Sequence, residues 1–536
     1  MQKCLKNSLF ILLCICAMHF KAQNDPLAKN IFINPDLQLS IDYWHITQPD
    51  FKFHSSFKPY LSGTISKRAD SAVPFQHYMI HNFFLSKTFN DAPEKINQWN
   101  FQVHPILDAV VAFDVLDNRV LHDVIGGANI KLSGNNDFTF SGTAFGGNVT
   151  IPFYMDSAIK TNKLISGLGQ VYGDNTKGYQ VFDYNGYVSY SPHNNKIFNF
   201  QLGRDRHFIG DGYRSVLLSD YANPYPYFRI NTNLWHFQYN VWYTLMNDVS
   251  GANGVKAKYQ NKFATFHYLS WNILKELNFG IFENVVWRGT DSNQVRSFDV
   301  NYLNPFIFYR PQEYSVGSPD NSFIGLNINT RIARTLKLYA QLGLDEFFLK
   351  EIRARRGWWA NKQAWQLGFN YINAMNVKGL NVQLEYNEVR PYTYTHGIVS
   401  QNYAHYGMPL AHPLGANFRE FLGIINYRKD RFQVSVKGTF ALVGKDSLGT
   451  KSNMGQNIFL SYTTRPYEYG HSTTQGDKNQ LMQSDIRFTY WIIPNINARL
   501  ELGYIQRSEK SNAGYKLEEP YIYFGFRTSF WNIYKD

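Results

Sequence analysis

Cysteine is confined to the start of the chain: Cys4, Cys14 and Cys16 are the only three in 536 residues. A chain trimmed of its leader would have no disulfide, thiolate nucleophile or cysteine metal site. Long apolar runs are missing too. Past the leader none reaches 18 residues, which excludes a helical membrane span. Repeats of about 40–50 residues and an immunoglobulin-like pattern are also absent, so the chain does not read as a secreted propeller or sandwich.

Aromatic residues are abundant, with Tyr 37, Phe 42 and Trp 11, although the mean hydropathy is only −0.36. Period-two alternation reconciles the two facts. Leu336 to Leu344 reads Leu-Lys-Leu-Tyr-Ala-Gln-Leu-Gly-Leu, and the beat recurs in segments of about ten residues. Phe101, Val103, Pro105 and Leu107 share one parity, as do Leu380, Val382, Leu384 and Tyr386. Phe263, Thr265, His267 and Leu269 form a weaker case. The last strand is expected over Tyr521 to Phe530, with Ile522, Phe524, Phe526, Thr528 and Phe530 on one side. Lys337, Arg487, Arg499 and Arg527 fall on the opposite parity from the apolar residues. A lipid-facing Lys or Arg at the bilayer midplane costs about 2–4 kcal/mol, so these must point into an enclosed lumen.

The fold class is therefore all-β: a transmembrane antiparallel β-barrel of about 16–18 strands with long outer loops and a small N-terminal periplasmic segment. Lys3 and Lys6, the apolar stretch Leu9–Met18 and the end Lys21-Ala22-Gln23 read as a signal peptide over 1–23. Residues 24–98 alternate poorly and read as a periplasmic segment partly folded against the barrel base, with early strands possible in Phe75–Phe89. Residues 99–536 form the outer-membrane barrel. Ala333–Thr335, Asn373–Gly379, Arg428–Asp430 and Ile493–Asn495 read as short periplasmic turns. Glu346–Lys362, Glu388–Asn417 and Thr463–Gln483 read as long outer loops. Strand parity between Arg428 and Ile493 fails to close by one.

Two polar stretches carry candidate chemistry. Arg353, Arg355, Arg356, Trp358 and Trp359 lie in one outer loop. Guanidinium groups grip carboxylates or phosphates bidentately, and indoles stack on sugar faces. The competing reading is an internal plug, with Arg paired to Asp345, Glu346 and Glu351. Arg204, Arg206 and Arg214 stand in a glycine-rich charged run that reads as a lumen constriction or ledge. It lacks the strand–loop–helix setting of a nucleotide site. His396, His405 and His412 share a loop with Ser400; their spacing does not suit a metal, and a Ser–His pair drawn there is weak.

The net charge is +12. It suits outer-membrane lipid and lipopolysaccharide, or an acidic surface polysaccharide, as partners; a mildly basic surface with no specific partner fits equally. No cofactor and no nucleic-acid partner are expected.

Longer motifs add a resemblance. Gly203–Arg229, Asn301–Asn327, Gly357-Trp-Trp-Ala-Asn-Lys362, Val389–Tyr394 and Pro409–Phe418 resemble the gliding-motility RemB proteins of Bacteroidota. That group is similar in turn to the capsule-assembly Wzi family. The resemblance implies an outer-membrane barrel with a plugged or narrow lumen. Such a barrel would bind or organise surface polysaccharide, or support gliding with gliding or secretion machinery proteins as partners. It brings no catalytic residues. A diffusion porin for sugars or anionic solutes and an outer-membrane hydrolase are the alternatives.

Overall fold

The computed structural model describes residues 29–65, 85–90, 98–116, 118–134, 137–192, 197–291, 294–295, 298–306, 320–446, 453–532 and 534–535. The leader and Phe75–Phe84 lie outside these.

Eighteen antiparallel strands close into a barrel. They are β1 (Gln98–Asp114), β2 (Arg119–Gly134), β3 (Phe138–Val149), β4 (Tyr179–Tyr190), β5 (Phe198–Asp205), β6 (Tyr225–Leu234), β7 (Phe237–Asp248), β8 (Gln260–Asn272) and β9 (Leu277–Arg288). The second half is β10 (Asn321–Ile332), β11 (Leu336–Glu346), β12 (Lys362–Ile372), β13 (Leu380–Val389), β14 (Phe418–Lys429), β15 (Phe432–Lys445), β16 (Asp477–Ile493), β17 (Ala498–Ser511) and β18 (Lys516–Arg527). β18 returns to β1, with Tyr521–Phe526 opposite Ala109–Asp114. Closure gives each of the eighteen strands a partner on both sides, as hydrocarbon requires. Below that seam the lower half of β1 pairs with a short strand, Leu85–Asn90.

The expected parity holds. Leu326, Leu338, Leu384, Ile522 and Phe524 are exposed on the outer wall, while Lys337, Arg499 and Arg527 are buried inside. Between β10 and β11, Ala333 and Arg334 both take positive φ, 55° and 57°. That turn geometry matches the twist of the flanking strands. Connections at this end of the barrel are all short, while most at the other end are long, 115–118 and 512–515 excepted, which sets the long ones outside the cell.

Three sequence expectations are corrected. Only β15 and β16 lie between the turns at Asp430–Arg431 and Pro494–Asn497, so the parity closes. The outer loop there spans 446–476, and Asp477–Gln483 belongs to the long β16, whose outer end is polar on both faces. The last strand ends at Arg527, not Phe530. Asp108 accepts hydrogen bonds from the backbone N–H groups of Thr528 and Ser529 (both 3.1 Å) and turns the chain inward. Phe530 then stacks on Phe32 inside the barrel (centroids 5.0 Å apart).

The chain fills its own lumen. From the periplasmic end comes helix α1 (Pro35–Thr47), started by Asn34, whose side chain accepts from the Leu37 N–H at 3.0 Å, and by Pro35 at the first turn. Phe57–Lys58 pairs with Phe208–Ile209 from the loop after β5. From the outer end, loops 206–224, 390–417 and 446–476 bury Val216, Leu217, Leu218, Tyr394, Tyr403, Leu410 and Ile458 in one apolar cluster.

Candidate functional site

The outer loop between β11 and β12 holds helix α2 (Leu349–Ala354) followed by Arg355 and Gly357 with positive φ. This turn throws the arginines outward. Arg353, Arg355 and Arg356 are exposed. Arg353 and Arg355 make no ion pair with any described residue. Arg356 pairs with Glu351 at 2.7 Å and lies 4.5 Å over the Tyr469 ring. Asp345 and Glu346 pair instead with Lys362.

A second loop is stitched to the first. The N–H groups of Gly470 and His471 donate to the carbonyls of Arg356 and Gly357 (both 2.9 Å), and Trp359 N–H donates to Glu468 (3.1 Å). Trp359 is thereby held against Tyr462 (4.6 Å) and under the Arg465 guanidinium (4.1 Å). Tyr467 and Tyr469 remain exposed beside it. The result is a platform of aromatic faces and guanidiniums on two braced loops. Burial pushes the nearby His396 down to about 4, and His471 is also lowered by burial. Both are neutral near pH 7, so the positive charge of the platform belongs to arginine and lysine.

The sequence pointed to one half of this platform. Tyr462, Arg465, Tyr467 and Tyr469 were not singled out. The signal was present in Tyr-Thr-Thr-Arg-Pro-Tyr-Glu-Tyr-Gly-His over 462–471, as dense in aromatics and charge as the stretch around Trp358.

The other candidates sit elsewhere. Arg206 and Arg214 are buried in the lumen loop; Arg206 donates to the Asp220 carbonyl at 3.1 Å and Arg214 pairs with Glu420 at 3.4 Å. Arg204 lies at the end of β5, paired with Asp183 at 2.8 Å and stacked on Tyr184. His405 accepts from the Asn247 N–H, His396 from Ile398, and His412 meets Glu420 at 2.7 Å. Among the described residues none of these histidines bonds Ser400, and no three His, Cys, Asp or Glu gather as metal ligands.

Inside the lumen a cavity of about 220 Å³ remains between α1, the loop after β5 and the wall from β12 to β18. Acids such as Asp36, Asp485 and Glu501 and bases such as Lys437, Arg487 and Arg499 line it in balance.

These features define an outer-membrane β-barrel whose lumen is occupied by its own chain and whose outer loops carry a cationic aromatic platform. The family model for the capsule assembly protein Wzi matches residues 135–514, and the chain belongs to that family. Among solved structures, the chain is similar to Wzi of Escherichia coli, described as an outer-membrane protein involved in group 1 capsule assembly and a carbohydrate-binding β-barrel. The identity is 12%, with 94% of this chain and 99% of that one covered and a TM-score of 0.57. Pseudomonas aeruginosa OprD matches more distantly: 12% identity, 81% and 96% coverage, TM-score 0.42. No curated protein sequence matches.

Proposed function

We propose that this chain binds and organises surface polysaccharide at the outer membrane and does no bond chemistry. The platform of exposed Arg353, Arg355 and Arg356 with half-buried Trp358 and Trp359, completed by half-buried Tyr462 and Arg465 and exposed Tyr467 and Tyr469, carries the reading. A sugar ring offers an apolar face to an indole, and an acidic sugar offers a carboxylate to a guanidinium. Two uncommitted guanidiniums at a braced surface are pre-organised for that contact. Membership of the Wzi family supports the same reading, as does the filled lumen, which disfavours a diffusion porin.

Replacing Arg353, Arg355 and Arg356 together by Ala is expected to weaken binding of an acidic capsular polysaccharide roughly tenfold or more, since each charge-assisted contact is worth about 1.5–3 kcal/mol before partial redundancy. Retention on immobilised polysaccharide measures it, with heat-dependent gel mobility as the folding control. Undiminished retention removes the platform from the binding role. A steady large conductance of the unmodified protein in planar bilayers would favour the porin instead.

The likeness of the loop motifs to RemB proteins favours a further role in surface gliding. In a gliding host, deletion of the gene should abolish colony spreading, and the unmodified chain should restore it. Normal spreading of the deletion strain would dismiss that role.

A further inference from the structure

Antiparallel register aligns Ile230, Val241, His267, Glu283, Ile324 and Leu344 in one row across β6 to β11, all on the outward face. The next row toward the periplasm holds Leu269, Ile281 and Leu326. The flanking residues place this height in hydrocarbon. His267 and Glu283 stand in the middle of it, yet their exposures are only 0% and 2%. An ionisable side chain facing lipid is expensive, so something must cover it.

The cover is the chain itself. Residues 298–306, from the outer loop between β9 and β10, pack on the outside of the barrel. Phe298 lies edge-on to Trp287 (5.1 Å) and Phe263 (5.6 Å), and Tyr302 packs on Trp287 at 4.7 Å. Irregular backbone at this depth finds no water, so its carbonyls need donors from protein. The wall supplies them. Thr265 Oγ1 donates to the Tyr302 carbonyl (3.2 Å), the Tyr243 hydroxyl to Leu303 (2.8 Å) and the Tyr239 hydroxyl to Pro305 (2.6 Å). Tyr239 also meets His267. Toward the exterior the segment turns Val300, Leu303 and Phe306, exposed by 72%, 46% and 73%. Its polar Asn301 side chain closes back on Asp299 at 3.0 Å. The segment contains no Lys or Arg, and its one acid, Asp299, accepts from the Asn301 backbone N–H at 3.0 Å as well as from that side chain.

We propose that residues 298–306 form a membrane-embedded strap. Its inner side shields His267 through the Tyr239 hydroxyl that joins His267 to Pro305, and its Val300, Leu303 and Phe306 rest against lipid acyl chains. The lipid contact follows from continuity: the strap replaces a sector of the apolar band that Phe228, Leu326 and Ile328 present on either side. The wall hydroxyls explain how a loop can lie there at all.

Nitroxide labels test the placement. Phe306→Cys and Val300→Cys variants of the leader-free chain, labelled and reconstituted into phosphatidylcholine vesicles, are compared with Leu326→Cys on the lipid face and Ala354→Cys on the exposed outer helix. Phe306 and Val300 labels are expected to collide with oxygen and resist a water-soluble nickel chelate, as at Leu326. Exposure to the chelate like that at Ala354 overturns the proposal. Shielding from both reagents overturns it too and marks a protein interface, such as a second copy. The paired change Tyr239→Phe with Tyr243→Phe should shift the Phe306 label toward the chelate, because two carbonyls lose their donors. No shift would show that the hydroxyls do not hold the strap. Retained heat-dependent gel mobility confirms that each variant still forms a barrel.

Discussion

Replacing Lys337 by Met will release the N-terminal segment from the lumen wall and destabilise the barrel by about 3–5 kcal/mol. Lys337 projects inward from β11 and is completely buried. Its ammonium lies 2.6 Å from Asp42 on α1 and 3.1 Å from Asp211 in the loop after β5. One cation thus joins the two segments that fill the barrel from opposite ends. Asp211 keeps other donors after the change: Ser55 and Ser56 hydroxyls at 2.6 Å and Asn329 at 2.9 Å. Asp42 has no comparable set among the bonds described, so α1 is the side that should let go. Deuterium exchange of amides in 35–47 should accelerate, and the unfolding temperature should fall. Asp42→Asn added to Lys337→Met should recover part of the loss, because a neutral amide is cheaper to bury than a stranded carboxylate. Unaltered exchange and melting in Lys337→Met would refute the latch.

Arg527→Ala should weaken the seam at which the barrel closes. Arg527 sits at the end of β18 and reaches Glu501 on β17 (3.2 Å), Asp108 on β1 (3.3 Å) and Asp123 on β2 (3.5 Å). The backbone seam it reinforces spans only Tyr521–Phe526 opposite Ala109–Asp114, while β1 and β2 pair along Trp99–Asp114. Without the guanidinium, three buried carboxylates face each other with reduced compensation. Glu501 retains Arg499 (2.6 Å) and Asp123 retains Lys535 (3.4 Å). A loss of about 3–5 kcal/mol is expected, read as a lower temperature for the folded-to-unfolded gel shift. Arg527→Lys should restore only part, since a point charge cannot span three partners as a planar fork does. Equal unfolding temperatures for Arg527→Ala and the unmodified barrel would strip the residue of this role.

The alternation from Leu336 to Leu344 sufficed to say which side chains face lipid. Side-chain direction in a strand has period two and needs no knowledge of partners. The same rule put Lys337, Arg499 and Arg527 in the lumen, and the turns at Ala333–Thr335 and Asn373–Gly379 stand where the pattern broke. It failed where polarity stopped reporting environment. Asp477–Gln483 looked like loop because β16 runs on past the apolar band. Phe530 looked lipid-facing because an aromatic at the right parity reads the same whether it meets acyl chains or Phe32. The cap at Asn34-Pro35 is a local helix signal that period-two alternation does not report.

Period and polarity therefore determined the class of fold, its outward and inward faces and one half of the platform, because those properties are written within ten residues of each other. Tertiary structure alone decided the rest. Lys337 meets Asp42 across 295 positions of chain, and Trp359 meets Tyr462 across about a hundred. Such contacts depend on where closure of the barrel brings remote segments together, and no local pattern records that distance.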